Sequence, residues 1–77
     1  MITYNSKSVV TVTKASDREH WVKQWSLESY AMTFEEKLGG TDKNYIKAKD
    51  VEQNSAGTKF MVTYYDDGFF KLRTFGT

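Results

Sequence analysis

Few residues in this chain could do covalent or acid–base chemistry. Its 77 residues include one histidine, His20, and no cysteine. A thiolate nucleophile, a disulfide, a zinc–thiolate site and an iron–sulfur site are therefore out of reach. His20 stands between Glu19 and Trp21, in what reads as the first turn of a helix, a setting that leaves an imidazole partly exposed. To act as a base it needs a nucleophile and an orienting group within hydrogen-bond reach. Ser16, Ser26 and Ser29 are available, but none lies in a nucleophile-elbow pattern.

Two acid pairs, Glu35-Glu36 and Asp66-Asp67, are the other candidates. The first reads as part of a helix or capping turn and the second as a turn, so both are expected to be solvated rather than catalytic. A transition metal would need several carboxylates around one imidazole. Asp42-Lys43-Asn44 does not continue as a calcium loop, because Ile46 stands where a third oxygen ligand belongs. Gly39-Gly40 lacks the further glycines and the lysine of a phosphate loop. In a domain this small a pocket of the ~300 Å³ typical of ligand sites is not expected. The expectation is a protein with no catalytic residue, no cofactor and no bound metal, hence not an enzyme.

A different chemistry is better represented. Aromatic residues make up 16% of the chain, with two Trp and five each of Tyr and Phe. Such side chains and Arg are enriched in protein interfaces. Near the C-terminus they interleave with cations: Tyr65, Phe69, Lys71, Arg73 and Phe75. On one exposed sheet face these five would form a mixed aromatic–cationic surface, with Trp25 as a further anchor elsewhere. Aromatics would stack on bases while Lys71 and Arg73, joined by Lys47 and Lys49, met phosphates. Single-stranded nucleic acid, RNA or DNA, is thus the alternative ligand to a protein.

The elements that must position these residues are read from local pattern. Ser8 to Lys14 is almost all β-branched and predicts a strand with Val10 and Val12 on one face. Ser16-Asp17-Arg18-Glu19 reads as a capping box and predicts a helix from about Asp17. Trp21 and Trp25 then sit at i and i+4, with Glu19 and Lys23 placed for an ion pair. Leu27, Ala31, Phe34 and Leu38 continue a helical stripe. Tyr30, Met32 and Phe34 alternate as well, so a strand over 27–34 is the competing assignment, and Thr33-Phe34-Glu35-Glu36 is a second capping box. Asn44 to Val51 reads as an edge strand with a basic face, and 53–57 as a loop.

The strongest local signal is a hairpin over 59–75 around Asp66-Asp67-Gly68. A two-residue Asp67-Gly68 turn would set Val62 opposite Arg73 and Tyr64 opposite Lys71. A three-residue loop with a bulge would set Tyr65 opposite Phe69, Tyr64 opposite Phe70 and Val62 opposite Leu72. The second register collects apolar groups on one face, and register follows the buried face. It predicts a core of Phe60, Val62, Tyr64, Phe70 and Leu72.

The fold expected is α+β: a single two-layer domain over 1–77, with an antiparallel sheet of three to four strands and helical structure within 17–38 packed on one face. The order is strand, helix, strand, hairpin. Eleven Lys+Arg against ten Asp+Glu give a net charge of +1, which excludes a polybasic tail and a polyanionic mimic. Without disulfides, stability on the order of 3–5 kcal/mol is expected. No apolar run approaches the ~20 residues of a membrane helix, and the N-terminal residues have no signal-peptide h-region. These features predict a cytoplasmic protein that does not enter membranes. The function expected is a non-enzymatic protein-binding module. It would be a small inhibitor or adaptor of a larger enzyme, as phage-type accessory proteins are. Nothing in the chain sets its oligomeric state, and a homodimer is among the options.

Overall fold

The computed structural model describes residues 1–39 and 44–76. Gly40, Asp42 and Lys43, read above in the phosphate-loop and calcium-loop patterns, lie outside them. The described residues form seven strands and no helix: β1 (Ile2–Tyr4), β2 (Ser8–Ser16), β3 (Glu19–Ser26), β4 (Met32–Leu38), β5 (Ile46–Gln53), β6 (Lys59–Asp66) and β7 (Phe69–Gly76). They make two antiparallel meanders, a sheet A in the order β1-β2-β3-β4 and a sheet B in the order β5-β6-β7. Their inner faces pack together as a small sandwich, so the expected α+β class is corrected to all-β. No helix among the described residues is long and apolar enough to cross a membrane.

The helix over 17–38 fails for a specific reason. A separation of four places two residues on one face of a helix and also on one face of a strand. Trp21 and Trp25 therefore cannot tell the two apart. The residues between them can: His20 and Val22 are buried, while Trp21 and Lys23 are half-buried on the opposite face. The supposed capping box is a turn. The Ser16 hydroxyl accepts from the amide of Arg18 (3.2 Å), and the chain reverses there into β3. Glu19 accepts instead from the Trp21 indole at 2.8 Å, and Lys23 pairs across the sheet with Glu35. Of the alternative strand over 27–34, only the last three residues belong to β4. The short β1 was not foreseen. The strand at 8–14 and the edge strand near 44–51 are present, with Val10 and Val12 buried, while the loop expected at 53–57 runs over 54–58 because Gln53 ends β5.

The core is Val10, Val12, Val22 and Leu38 from sheet A against Ile46, Val51, Phe60, Val62, Tyr64 and Phe75 from sheet B. Phe34 reaches from β4 to meet Phe60 and Phe75 edge-on, at 5.2 and 5.6 Å between ring centroids. Phe60 and Phe75 stack at 5.3 Å. Polar contacts close one end of the sandwich. Gln24 donates to the Ser8 hydroxyl and to the Gly57 carbonyl, and Gln53 donates to the Ser8 carbonyl. Near the other end the Ile46 amide donates to the Asp17 carbonyl.

The C-terminal hairpin is present, but in the register that the sequence argument set aside. Asp66 faces Phe69, Tyr64 faces Lys71 and Val62 faces Arg73. Asp67 and Gly68 carry φ of 52° and 84°, the two positive values of a type I′ turn. That turn matches the natural twist of the strands, which an Asp-Gly pair is suited to supply. The predicted cost, two cations facing inward, is met locally. Lys71 reaches buried Asp66 at 3.3 Å, and Arg73 reaches Glu36 at 3.3 Å. Phe75 then fills the core, and Phe70 and Leu72 turn outward.

Candidate functional site

The residues singled out for contact do not share one surface. Phe75 is buried in the core. Lys71 and Arg73 point to the inner side of sheet B, at its β7 margin. The Arg73 guanidinium also donates to the Lys37 carbonyl (3.2 Å) and lies 4.8 Å from the Phe75 ring centre. Phe69 is exposed at the hairpin tip, on that same side. Tyr65 alone of the hairpin set lies on the outer face of sheet B. Trp25 lies on the outer face of sheet A, across from Val9 and Met32. The expected aromatic–cationic platform of Tyr65, Phe69, Lys71, Arg73 and Phe75 is therefore corrected.

A different surface replaces it. Across the outer face of sheet B run Met61, Thr63 and Tyr65 on β6, with Phe70, Leu72 and Thr74 opposite on β7. Phe70 is 61% exposed and Leu72 53%, both expected in the core and both found outside. Tyr65 and Phe70 meet edge-on at 5.5 Å. On β5 the same face carries Lys47 opposite Tyr65, Asp50 opposite Thr63 and Glu52 opposite Met61. A register shift between Ala48 and Asp50 admits Lys49, whose ammonium lies 5.8 Å from the Tyr65 ring centre. Among the described residues no element covers this face. The Asp67-Gly68 dipeptide was the sequence signal that pointed to it, because a two-residue turn there sets Phe70 outward and Lys71 inward.

The outer face of sheet A is also uncovered by the described residues. Ile2, Tyr4, Trp25 and Met32 are exposed there, around the ion pair of Lys23 with Glu35 (3.5 Å). Ile2 and Tyr4 were not anticipated, because β1 was not, and Met32 entered only through the competing strand over 27–34.

The groups considered for catalysis are held apart. Glu35 and Glu36 alternate along β4, Glu35 outward to Lys23 and Glu36 inward to Arg73. Asp66 is buried, accepting from Asn44 (2.9 Å) and Lys71, whereas Asp67 occupies the exposed turn. The hydroxyls of Ser16, Ser26 and Ser29 accept from backbone amides in turns. Among the described residues no three of His, Asp and Glu gather as a metal site.

His20 is buried rather than surface-exposed, across the ladder from Lys14 and Leu38. Its Nδ1 has no hydrogen-bond partner. Burial, and then the nearby Lys14 charge, lower its pKa below the ordinary imidazole value, with Asp17 pulling the other way. The hydrogen bond and charge of Lys14, 2.7 Å away, lower the Asp17 pKa. An open cleft of about 420 Å³ lies here, lined by Val12, Lys14, Asp17, His20, Tyr45 and Lys47 among others. It exceeds the size expected from the length of the chain, but it opens to solvent at the end of the sandwich. The chain matches no known protein family, no curated protein and no solved structure.

Proposed function

We propose that this chain is a non-enzymatic protein-binding module, acting as a small inhibitor or adaptor through the outer face of sheet B. The observation that carries the reading is the uncovered patch of Tyr65, Phe70 and Leu72, flanked by Met61 and bordered by the charges of β5. Large apolar groups exposed together on a sheet cost solubility without adding to the core, and such patches mark contact surfaces. The separation of the acid pairs and the engagement of the serine hydroxyls in turns support a role without chemistry.

Single-stranded nucleic acid has one observation in its favour: Lys47 and Lys49 lie beside Tyr65, an aromatic ring flanked by cations. Asp50 and Glu52 on the same strand oppose it, and Lys71 and Arg73 are turned away and paired with carboxylates. The protein reading is the better supported.

The test is capture from a nuclease-treated native lysate with the full chain as bait, beside its Phe70→Ser/Leu72→Ser variant. Both positions are exposed, so the variant should keep the wild-type melting temperature within a few degrees. A specific protein retained by the wild type and lost by the folded variant supports the proposal. A partner retained equally by both refutes it for this face, and capture that depends on omitting nuclease favours nucleic acid.

A further inference from the structure

The distribution of charge on sheet B says which partner its outer face suits. Along β5 the outward residues run Lys47, Lys49, Asp50, Glu52, two cations and then two anions. The cationic end lies beside the aromatic pair Tyr65–Phe70, and the anionic end beside Met61 and Thr74. All four charged residues are exposed, and among the described residues none forms an ion pair. A face polarised in this way is complementary to itself when turned around.

From this we infer that the occupant of the outer face of sheet B is a second copy of this chain, packed face to face about a two-fold axis. The inference rests on the reading of this face as a protein-contact surface, where a larger partner binds only in competition with the second copy. With the axis crossing the strands near the Thr63–Leu72 pair, each strand lies over its own copy and runs in the opposite direction. Lys47 of one copy then lies over Glu52 of the other, twice in each dimer, and the bulged Lys49–Asp50 segment, at the Thr63 row, meets its own copy at the axis. Tyr65 and Phe70 lie over the copy's Met61 and Thr74, and Leu72 meets Leu72 at the axis. This is an isologous interface, the commonest kind in homo-oligomers. Sheets stack this way at about 10 Å, with strands aligned within roughly 30°, a span that Lys and Glu side chains bridge. The alternative axis, parallel to the strands, would set the charged β5 over the apolar β7 and match neither.

The patch is small. Three strands about 4.8 Å apart and eight residues long cover roughly 14 by 26 Å. Two such faces cover roughly 730 Å², below the ~1,000 Å² of a stable specific interface, so the dimer is weak and reversible and its population depends on concentration. Opposite charges at the margin set the register, and reversing them brings like charges together.

The experiment is sedimentation velocity on the full chain after nuclease treatment, across a concentration series. Two variants are compared with wild type: Lys47→Glu/Lys49→Glu, and Asp50→Lys/Glu52→Lys. Wild type should pass from monomer to dimer as concentration rises. Each variant alone should dimerise at least about tenfold more weakly. An equimolar mixture of the two should recover near-wild-type dimerisation, because each supplies the sign the other lacks. A second pair, Leu72→Glu and Leu72→Lys, repeats the logic on the axis, should either charge variant fail to fold by circular dichroism. A wild type that stays monomeric throughout overturns the inference, as do folded variants that dimerise normally or a mixture that fails to recover. A dimer seen only before nuclease treatment also overturns it, in favour of nucleic acid. A monomeric wild type whose lysate partner is still lost on Phe70→Ser/Leu72→Ser removes the second copy alone. If that partner is retained as well, the contact reading falls with it.

Discussion

Sheet A and sheet B bury similar inner faces and handle charge differently on their outer ones. On sheet A, Lys23 and Glu35 stand directly opposite each other on neighbouring strands and pair across them. The surface neutralises itself strand by strand. On sheet B the opposite charges follow one another along a single strand, so each end of the face keeps one sign. Inside, the pattern reverses. Sheet B brings a carboxylate into the interior and gives it a lysine, Asp66 with Lys71, whereas sheet A buries the His20 imidazole with one nitrogen unmatched. A charge satisfied within its own sheet adds to stability and is silent toward partners. A charge left without a partner is available to another molecule. Each sheet can be probed on both sides.

The largest effect should come from the inner face of sheet B. Phe60 is buried against Phe34 and Phe75, while Phe70, on the next strand, faces water. Phe60→Ala should cost about 3–5 kcal/mol. In a domain of this size that removes the cooperative thermal transition. Phe70→Ala should change stability by less than about 0.5 kcal/mol. Equal losses at the two sites, measured by urea denaturation, would mean that the outer face is covered after all.

Asp66 comes next. Asp66→Ala removes the acceptor for both Asn44 and Lys71, and a buried hydrogen-bonded carboxylate is worth about 1–3 kcal/mol. Lys71 is half exposed and can be resolvated, which keeps the loss below that of a fully buried ion pair. Because Asp66 is what allows Lys71 to face inward, the variant should also loosen the hairpin tip. Faster amide exchange at Phe69 and Phe70 would register it, and unchanged exchange there would show that the type I′ turn holds the register unaided.

That point bears on how much of the molecule its sequence declares. Val10 and Val12 announce themselves because β-branched residues repeat at a period of two in β2. Trp21 and Trp25 do not, since their spacing suits either period, and only the burial of His20 and Val22 resolves it. The hairpin is visible from Asp67-Gly68, yet its register depended on weighing a turn preference against the burial of Phe70 and Leu72. The turn prevailed because Glu36, from a strand that local pattern had assigned to a helix, came within reach of Arg73. A contact between residues 36 and 73 is invisible to any local window. The outer face of sheet B was missed for the same reason, as it is the complement of that register.

On sheet A the interior polar group should show itself through pH. A His20 pKa lowered in the folded state means that the unfolded chain takes up a proton first as pH falls. The stability this group contributes is therefore fully present above the unfolded value of about 6.5, and is lost as pH falls toward the lower folded value. The slope cannot exceed about 1.4 kcal/mol per pH unit for one proton. Lys14, facing His20 across the ladder, adds to the cost of charging it, and Asp17 offsets part of that. In His20→Gln the decline between neutral and mildly acidic pH should flatten. A slope that survives the substitution would assign it to carboxylates elsewhere.

The smallest effect belongs to the pair on which the comparison turns. Lys23 and Glu35 are partly exposed, 3.5 Å apart and open to salt. Exposed pairs of this kind contribute about 0.2–1 kcal/mol at best. A double-mutant cycle over Lys23→Ala and Glu35→Ala should give a coupling below about 0.5 kcal/mol, vanishing in high salt. It should leave any self-association untouched, because these charges are already spoken for within their own sheet. Removing Lys47 and Lys49 should do the reverse, with little change in melting temperature and a clear change in sedimentation. If Lys23→Ala weakened association as much as Lys47→Ala did, the distinction between a self-neutralised face and a polarised one would have no consequence. The assignment of the contact surface to sheet B would then fail with it.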